Sequence, residues 1–217
     1  PADLALRVRF NPNLNKSWFA AVMQVINNIS MLSIVLTGAA LIREREHGTV
    51  EHLLVMPVTP FEIMTSKVWA MALVVLVASS LSLTAVVQGM LAVPLQGSLA
   101  LFLAGTALHL FATTSMGIFL GTLARSMPQF GRLLMLILLP LQMLSGAMTP
   151  RESMPEIVQQ VMLAAPNTYF VMLAQAILYR GAGLEVVWPQ FVALALIGTV
   201  LFGLALSRFR RTIGANV

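Results

Sequence analysis

The chain has 217 residues, 58% of them hydrophobic and 10% charged, with a net charge of +5 and a mean hydropathy of +0.87. A soluble domain carries about 25% charged residues, so the chain lacks the polar shell of a water-soluble fold and reads as an integral membrane protein. The basic residues sit singly or in small groups at the ends of apolar runs, which argues against nucleic acid as a partner, and the absence of cysteine excludes disulfide scaffolds and thiolate metal sites.

Within residues 1–17, residues 4–10, "LALRVRF", partly alternate apolar and polar side chains and are followed by the turn-like "NPN". This reads as the end of an extracytoplasmic domain that meets the membrane at Trp18. An upstream span and most of an outer domain are expected beyond the start of this chain. Residues 18–217 form the membrane domain. A bilayer crossing takes about 20 helical residues, and five apolar runs qualify: Trp18–Ile42, Val68–Val93, Ser98–Leu123, Leu133–Met148 and Phe191–Leu206. An all-α polytopic fold with five transmembrane helices follows.

Within the first run, Gln24, Asn27 and Asn28 fall at i, i+3 and i+4. Amides in hydrocarbon mark contact with water or protein, so this face is either a wall of a path or an interhelical hydrogen-bonding surface. Between the first and second runs the chain concentrates its acids. Glu44, Glu46, Glu51 and Glu62 are half of the eight in the sequence. His47 and His52 are five apart, which does not give the shared helix face of an H-E-x-x-H zinc site. Apolar Val50, Leu53 and Leu54, bounded by Pro57 and Pro60, instead predict a short amphipathic helix over residues 43–57 on the inner membrane face. Thr59–Phe61 starts the next helix.

In the third run His109 has no acid in any span as a partner and reads as a packing histidine. Thr113, Gly117 and Gly121 form a small-residue row, as do Ala195, Thr199 and Gly203 in the last run. The fourth run is short and contains Pro140, so it is expected to kink or end early, with Gln142 beside the freed carbonyl. Ile157–Tyr179 is only moderately apolar and is broken at Pro166-Asn167. It reads as two short helices at the outer interface or dipping partway in, within a re-entrant stretch of about 153–180. Placing Arg43–Lys67 on the inside puts eight Lys and Arg there, against five outside, with "RFRR" at Arg208–Arg211 as the inner anchor. The N-terminal segment is then outside and the C-terminus cytoplasmic.

The stretch "REREHGTVEHLLVMPVTPFEIMTSKV" resembles the signature of the ABC-2 type export permeases, the membrane subunits of ATP-binding-cassette exporters. "LARSMPQ", "LLPLQMLSGAMTPRESMP", "APNTYFV", "YRGAGLEVVWPQ" and "ALSRFRR" continue the resemblance in order along the chain. It implies that the five spans are the second to sixth of a six-span fold, working as a homo- or heterodimer in a bacterial inner membrane. It implies that the 43–57 helix is a coupling helix, with Arg43, Glu44, Arg45, Glu46, Gly48, Thr49 and Glu51 docking on a nucleotide-binding subunit or fused ATPase domain. It also favours a translocation path along Gln24, Asn27, Asn28 and Gln142. The sequence has no G-x-x-x-x-G-K-[ST] loop, so ATP and Mg are expected in that partner, and neither a catalytic nor a metal site in this chain. Amide walls favour a lipophilic or amphipathic substrate. A membrane-embedded hydrolase built on His109 or the Glu/His cluster, and a non-transporting membrane anchor, are the alternatives.

Overall fold

The computed structural model describes residues 16–47, 58–149 and 151–214, and every regular element among them is helical. The helices are α1 (Lys16–Glu46), α2 (Pro60–Leu81), α3 (Leu99–Leu123), α4 (Met127–Leu144), α5 (Glu156–Val161), α6 (Pro166–Arg180) and α7 (Leu184–Gly214). A π-helix, Ser82–Met90, prolongs α2. Five of these are long and apolar enough to cross a bilayer: α1, α2 with its π-extension, α3, α4 and α7.

The helices do not stop where the apolar runs stop. α2 begins at Pro60, eight residues before the apolar window, because Thr59 caps it: the Thr59 hydroxyl accepts from the Glu62 amide at 3.3 Å and the Glu62 carboxylate accepts from the Thr59 amide at 2.7 Å. This reciprocal box satisfies two of the orphan donors of a helix start. α4 likewise starts at Met127 rather than Leu133, with Pro in its first turn, and α7 extends well beyond Phe191–Leu206 at both ends. Hydropathy locates hydrocarbon, whereas caps set helix ends.

The expected inner-face helix over 43–57 is corrected in its first turn. Arg43, Glu44, Arg45 and Glu46 are the last turn of α1 itself, and residues 48–57 lie outside the described residues. α4 ends at Leu144, four residues past Pro140, as the kink argument anticipates, and Gly146 turns the chain at φ +97°.

α3 is the central helix and packs against α1, α2, α4, α6 and α7. Its Gly117 lies against the Ile34 carbonyl and Thr37 of α1, and its Gly121 against Gly38 and Leu41. The small-residue row read from the sequence is thus a close helix–helix approach. The corresponding row on the last helix is not: Thr199 and Gly203 face outward, and a Cβ on Gly203 would meet nothing within 4 Å. α7 packs instead through Leu194, Gly198, Ala205 and Phe209, with Gly198 against Phe111 of α3.

α5, a short 3-10 turn (Met162–Ala164) and α6 form the broken pair anticipated at Pro166, bent by 95°. The bend fits the expected re-entrant stretch, and α6 is the part of it packed into the bundle. Phe170, Leu173, Ala174, Ile177 and Leu178 of α6 are buried in the largest core cluster, with Phe102 and Leu110 of α3 and Val22 and Ile26 of α1. Gly181, at φ +64°, closes α6, its amide donating to the Ile177 carbonyl and that of Ala182 to Ala176.

Candidate functional site

The charged end of α1 is a junction of four helices. Glu44 forms an ion pair with Lys67 on the second turn of α2. Arg45 Nη1 donates to the carbonyls of Gly121 at 3.1 Å and Ala124 at 3.0 Å, at the C-terminus of α3. A helix leaves its last carbonyls without partners and carries partial negative charge there, so a guanidinium satisfies both needs. Glu46 Oε1 accepts from the Met127 amide at 3.2 Å, at the N-terminus of α4, where a carboxylate is favoured for the opposite reason. Consecutive residues of alternating charge thus reach three different helix ends. The sequence places these groups on a partner-facing surface, but Glu44 and Arg45 are half-buried and turned toward the chain's own helices. Arg43, Glu46 and His47 remain exposed, the His47 ring bonded back to the Arg43 carbonyl at 2.7 Å. Gly48, Thr49 and Glu51 lie outside the described residues.

The amides expected along a path are split by the fold. Gln24 Nε2 donates to Asn28 Oδ1 at 3.0 Å on an accessible face of α1, whereas Asn27, one step round the helix, is only 7% exposed. Asn28 lines a cavity of about 110 Å³ with Leu32 of α1 and Val75, Ser79 and Ser82 from α2 and its extension. Gln142 is half-buried on α4, next to the outward apolar side chains Leu139 and Met143. It does not line the Asn28 cavity.

A polar seam between α1 and α3 escaped the sequence reading. Ser30 Oγ lies 2.8 Å from His109 Nε2, and Ser33 Oγ donates to Thr113 Oγ1 at 2.7 Å, all fully enclosed. Ser30, Ser33 and Thr37 recur at i, i+3 and i+7, the spacing of one helix face, and that was the available signal. The His109 ring stacks on Phe170 with centroids 4.0 Å apart, and its Nδ1 is buried without a partner. A Ser–His pair can activate a nucleophile when a third group orients the imidazole and substrate can reach it. Here the orienting position is empty and both side chains are buried, so the pair is an interhelical bond.

Two larger cavities occur elsewhere. One, about 410 Å³, is almost wholly apolar and sits between α2, α3 and α7, lined among others by Trp69, Leu73, Phe111 and Phe191. The other, about 380 Å³, lies at the far end of the bundle from Arg45 and is lined by Arg151, Arg180, Gln175 and Gln190 together with apolar residues of α6 and α7.

The family model described as ABC-2 type transporter matches residues 7–179. The chain is 68% identical over 212 residues to the inner membrane transport permease YhhJ of Escherichia coli (strain K12), covering 98% of this chain and 57% of that protein. Similarity to the probable multidrug ABC transporter permease YbhR of the same organism is 28% over 214 residues, covering 98% of this chain and 57% of YbhR. The related YbhS is 29% identical over 180 residues, covering 82% of this chain and 48% of YbhS. The chain therefore spans a little over half the length of the curated relatives YhhJ and YbhR.

Proposed function

Since the chain belongs to the ABC-2 type transporter family, we propose that it is the membrane-spanning part of an exporter permease in a bacterial inner membrane. It acts as a dimer of such permeases, coupled to a nucleotide-binding subunit or a fused ATPase domain that holds ATP and Mg. The observation that carries this reading is the junction at the end of α1. Glu44, Arg45 and Glu46 tie α1 to the ends of α2, α3 and α4, so a displacement applied there reaches four membrane helices together. That is the mechanical property a coupling segment needs. Contact with the ATPase falls to the exposed Arg43 and to Gly48, Thr49 and Glu51 beyond, while Glu44 and Arg45 transmit. The C-terminus, with Arg208–Arg211, lies on the same cytoplasmic side, and the segment before Trp18 lies outside.

The substrate class is lipophilic or amphipathic, supported by amide and hydroxyl groups on the helix faces and by an apolar cavity of about 410 Å³ open beside Trp69. The test is the double substitution Arg43→Glu with Glu51→Lys in the intact transporter. Exposed ion pairs are worth about 0–1 kcal/mol each, and reversal adds like-charge repulsion. The expected result is loss of ATPase co-purification, or of substrate-stimulated hydrolysis where the ATPase is fused, with normal membrane insertion. Wild-type docking and coupling in this variant would exclude the coupling role.

A further inference from the structure

The cavity at the end of the bundle remote from Arg45 is not explained by coupling or by a path along α1. It occupies about 380 Å³ between the end of α4, the turn that carries Arg151, α6 and the first turns of α7. Two guanidinium groups line it, with Glu152 the single carboxylate on its wall among the described residues. Arg151 is braced, Nη2 donating to the Gln159 carbonyl at 3.3 Å and Nη1 to Met172 Sδ at 3.6 Å, yet its Nε is buried without a partner. Arg180, in the last turn of α6, is exposed. On the α7 side Gln190 contributes a buried carbonyl oxygen, Oε1, that also has no partner. Val171, Ala176 and Val186 supply apolar wall between these groups.

An unpaired buried donor and an unpaired buried acceptor are each destabilising, and a cavity that keeps both has a chemical complement. The guanidinium groups ask for an oxyanion, which arginine binds in a planar, often bidentate fashion. The Gln190 oxygen asks for a hydroxyl or N–H donor on the same molecule, and the apolar wall accepts hydrocarbon. The depth fits as well. Trp188, 57% exposed and two residues from Gln190, is the type of side chain that settles at the headgroup level of a bilayer.

We propose that this cavity binds an oxyanion headgroup, phosphate or carboxylate, that also carries a hydroxyl donor, at the outer headgroup level of the membrane. Two sources offer that chemistry: an anionic phospholipid such as phosphatidylglycerol, and a free phosphate. The site does not depend on the ATPase-coupling reading, and its occupant can be measured without transport.

The experiment uses the intact protein in detergent, titrated separately with short-chain phosphatidylglycerol, short-chain phosphatidylcholine and inorganic phosphate, with binding read by native mass spectrometry and thermal shift. In the wild type, phosphatidylglycerol is expected to bind about tenfold tighter than phosphatidylcholine, whose choline cation offsets the phosphate charge that the guanidinium groups attract. Arg180→Gln should abolish that preference, and Gln190→Leu should weaken phosphatidylglycerol severalfold. Because Arg151 also braces Gln159, its substitution is not used as the deciding variant. Arg180-dependent binding of inorganic phosphate as tight as that of the lipid supports the site with the free anion as occupant. Equal affinity for the two lipids in the wild type with no Arg180-dependent phosphate binding, or a preference that survives Arg180→Gln, overturns the proposal.

Discussion

Arg45 Nη1 sits 3.0 Å from the carbonyl oxygen of Ala124, the residue that caps the C-terminus of α3. The same nitrogen also reaches Gly121, so one side chain of α1 caps the C-terminal end of the most heavily packed helix. Hydrogen bonds from a charged donor contribute about 1.5–3 kcal/mol. Arg45→Ala should therefore destabilise the purified protein by about 2 kcal/mol in thermal or denaturant unfolding, and Arg45→Lys by less, because the ammonium keeps the charge near the carbonyls. Equal losses for the two variants would show that packing of the side-chain stem, rather than the cap, is what matters.

Glu44 and Lys67 offer a cleaner case, since the ion pair joins α1 to α2 and both side chains keep partial solvent access, 31% and 18%. At that exposure the pair is worth about 1 kcal/mol or less. Glu44→Lys or Lys67→Glu alone places like charges together and should lower both stability and coupled ATP hydrolysis. The swapped double variant should recover most of each. A double-mutant cycle with an interaction term near zero would remove the pair from the junction.

The glycines of the α1–α3 contact predict opposite outcomes for one chemical change. A Cβ at Gly117 would lie 2.7 Å from the Ile34 carbonyl oxygen, a backbone atom that cannot move aside cheaply, whereas one at Gly203 would meet nothing within 4 Å. Gly117→Ala should cost about 1–3 kcal/mol through forced separation of the helices. Gly203→Ala should be neutral or stabilise by up to about 1 kcal/mol, since alanine is the better helix former. Comparing the two unfolding midpoints checks both.

These same positions show how far the sequence could be read. Apolar runs long enough to span a bilayer located all five long helices, because hydrocarbon thickness leaves its length directly in the residue pattern. Gly117 and Gly121 were recognisable by spacing, yet Ala195, Thr199 and Gly203 have the same spacing, and Thr199 and Gly203 point outward. In a bilayer both the lipid-facing and the buried side of a helix are apolar, so periodicity loses the information it carries in water. How deeply α6 enters the bundle is not legible for a related reason. Its Asn167, Thr168 and Gln175 lower its hydropathy, but they face the protein interior, with Thr168 donating to the Met162 carbonyl at 2.7 Å and Gln175 to that of Gly146 at 3.4 Å. In the charged segment, residue type announced an exceptional site. Which charge turns inward could not be read, because Glu44, Arg45 and Glu46 meet partners 23, 79 and 81 residues away.

The bonded amides of α1 predict a transport phenotype separable from stability. Gln24 and Asn28 bond to each other on an accessible face, and Asn28 lines a cavity of about 110 Å³. Asn28→Leu should fill part of that cavity and leave Gln24 without its acceptor. The expected outcome is an altered substrate profile or export rate with unchanged yield and unfolding midpoint. Asn27→Leu, at a position only 7% exposed, should act on folding or assembly instead. If Asn28→Leu leaves transport of every substrate tested at the wild-type rate, the Gln24–Asn28 face is not part of the path.

Topology gives the last prediction, and the structure decides which positions can report it. The sequence places the end of α1 inside and the turn before α7 outside, from the balance of Lys and Arg and the Arg208–Arg211 anchor. Gly97 would be a natural outer reporter by sequence, but a Cβ there would lie 2.2 Å from the Ile177 carbonyl oxygen, so a cysteine would displace the turn it is meant to report on. Gly183 has nothing within 4 Å of its Cβ position and lies at the start of α7, while His47 is exposed just past the end of α1. The chain contains no cysteine of its own, so no background substitution is needed within these residues. In sealed cells, Gly183→Cys should react with a membrane-impermeant maleimide and His47→Cys should not. Permeabilisation should make both reactive. The reverse pattern would invert the molecule in the membrane, and with it the side on which an ATPase could dock at Arg43.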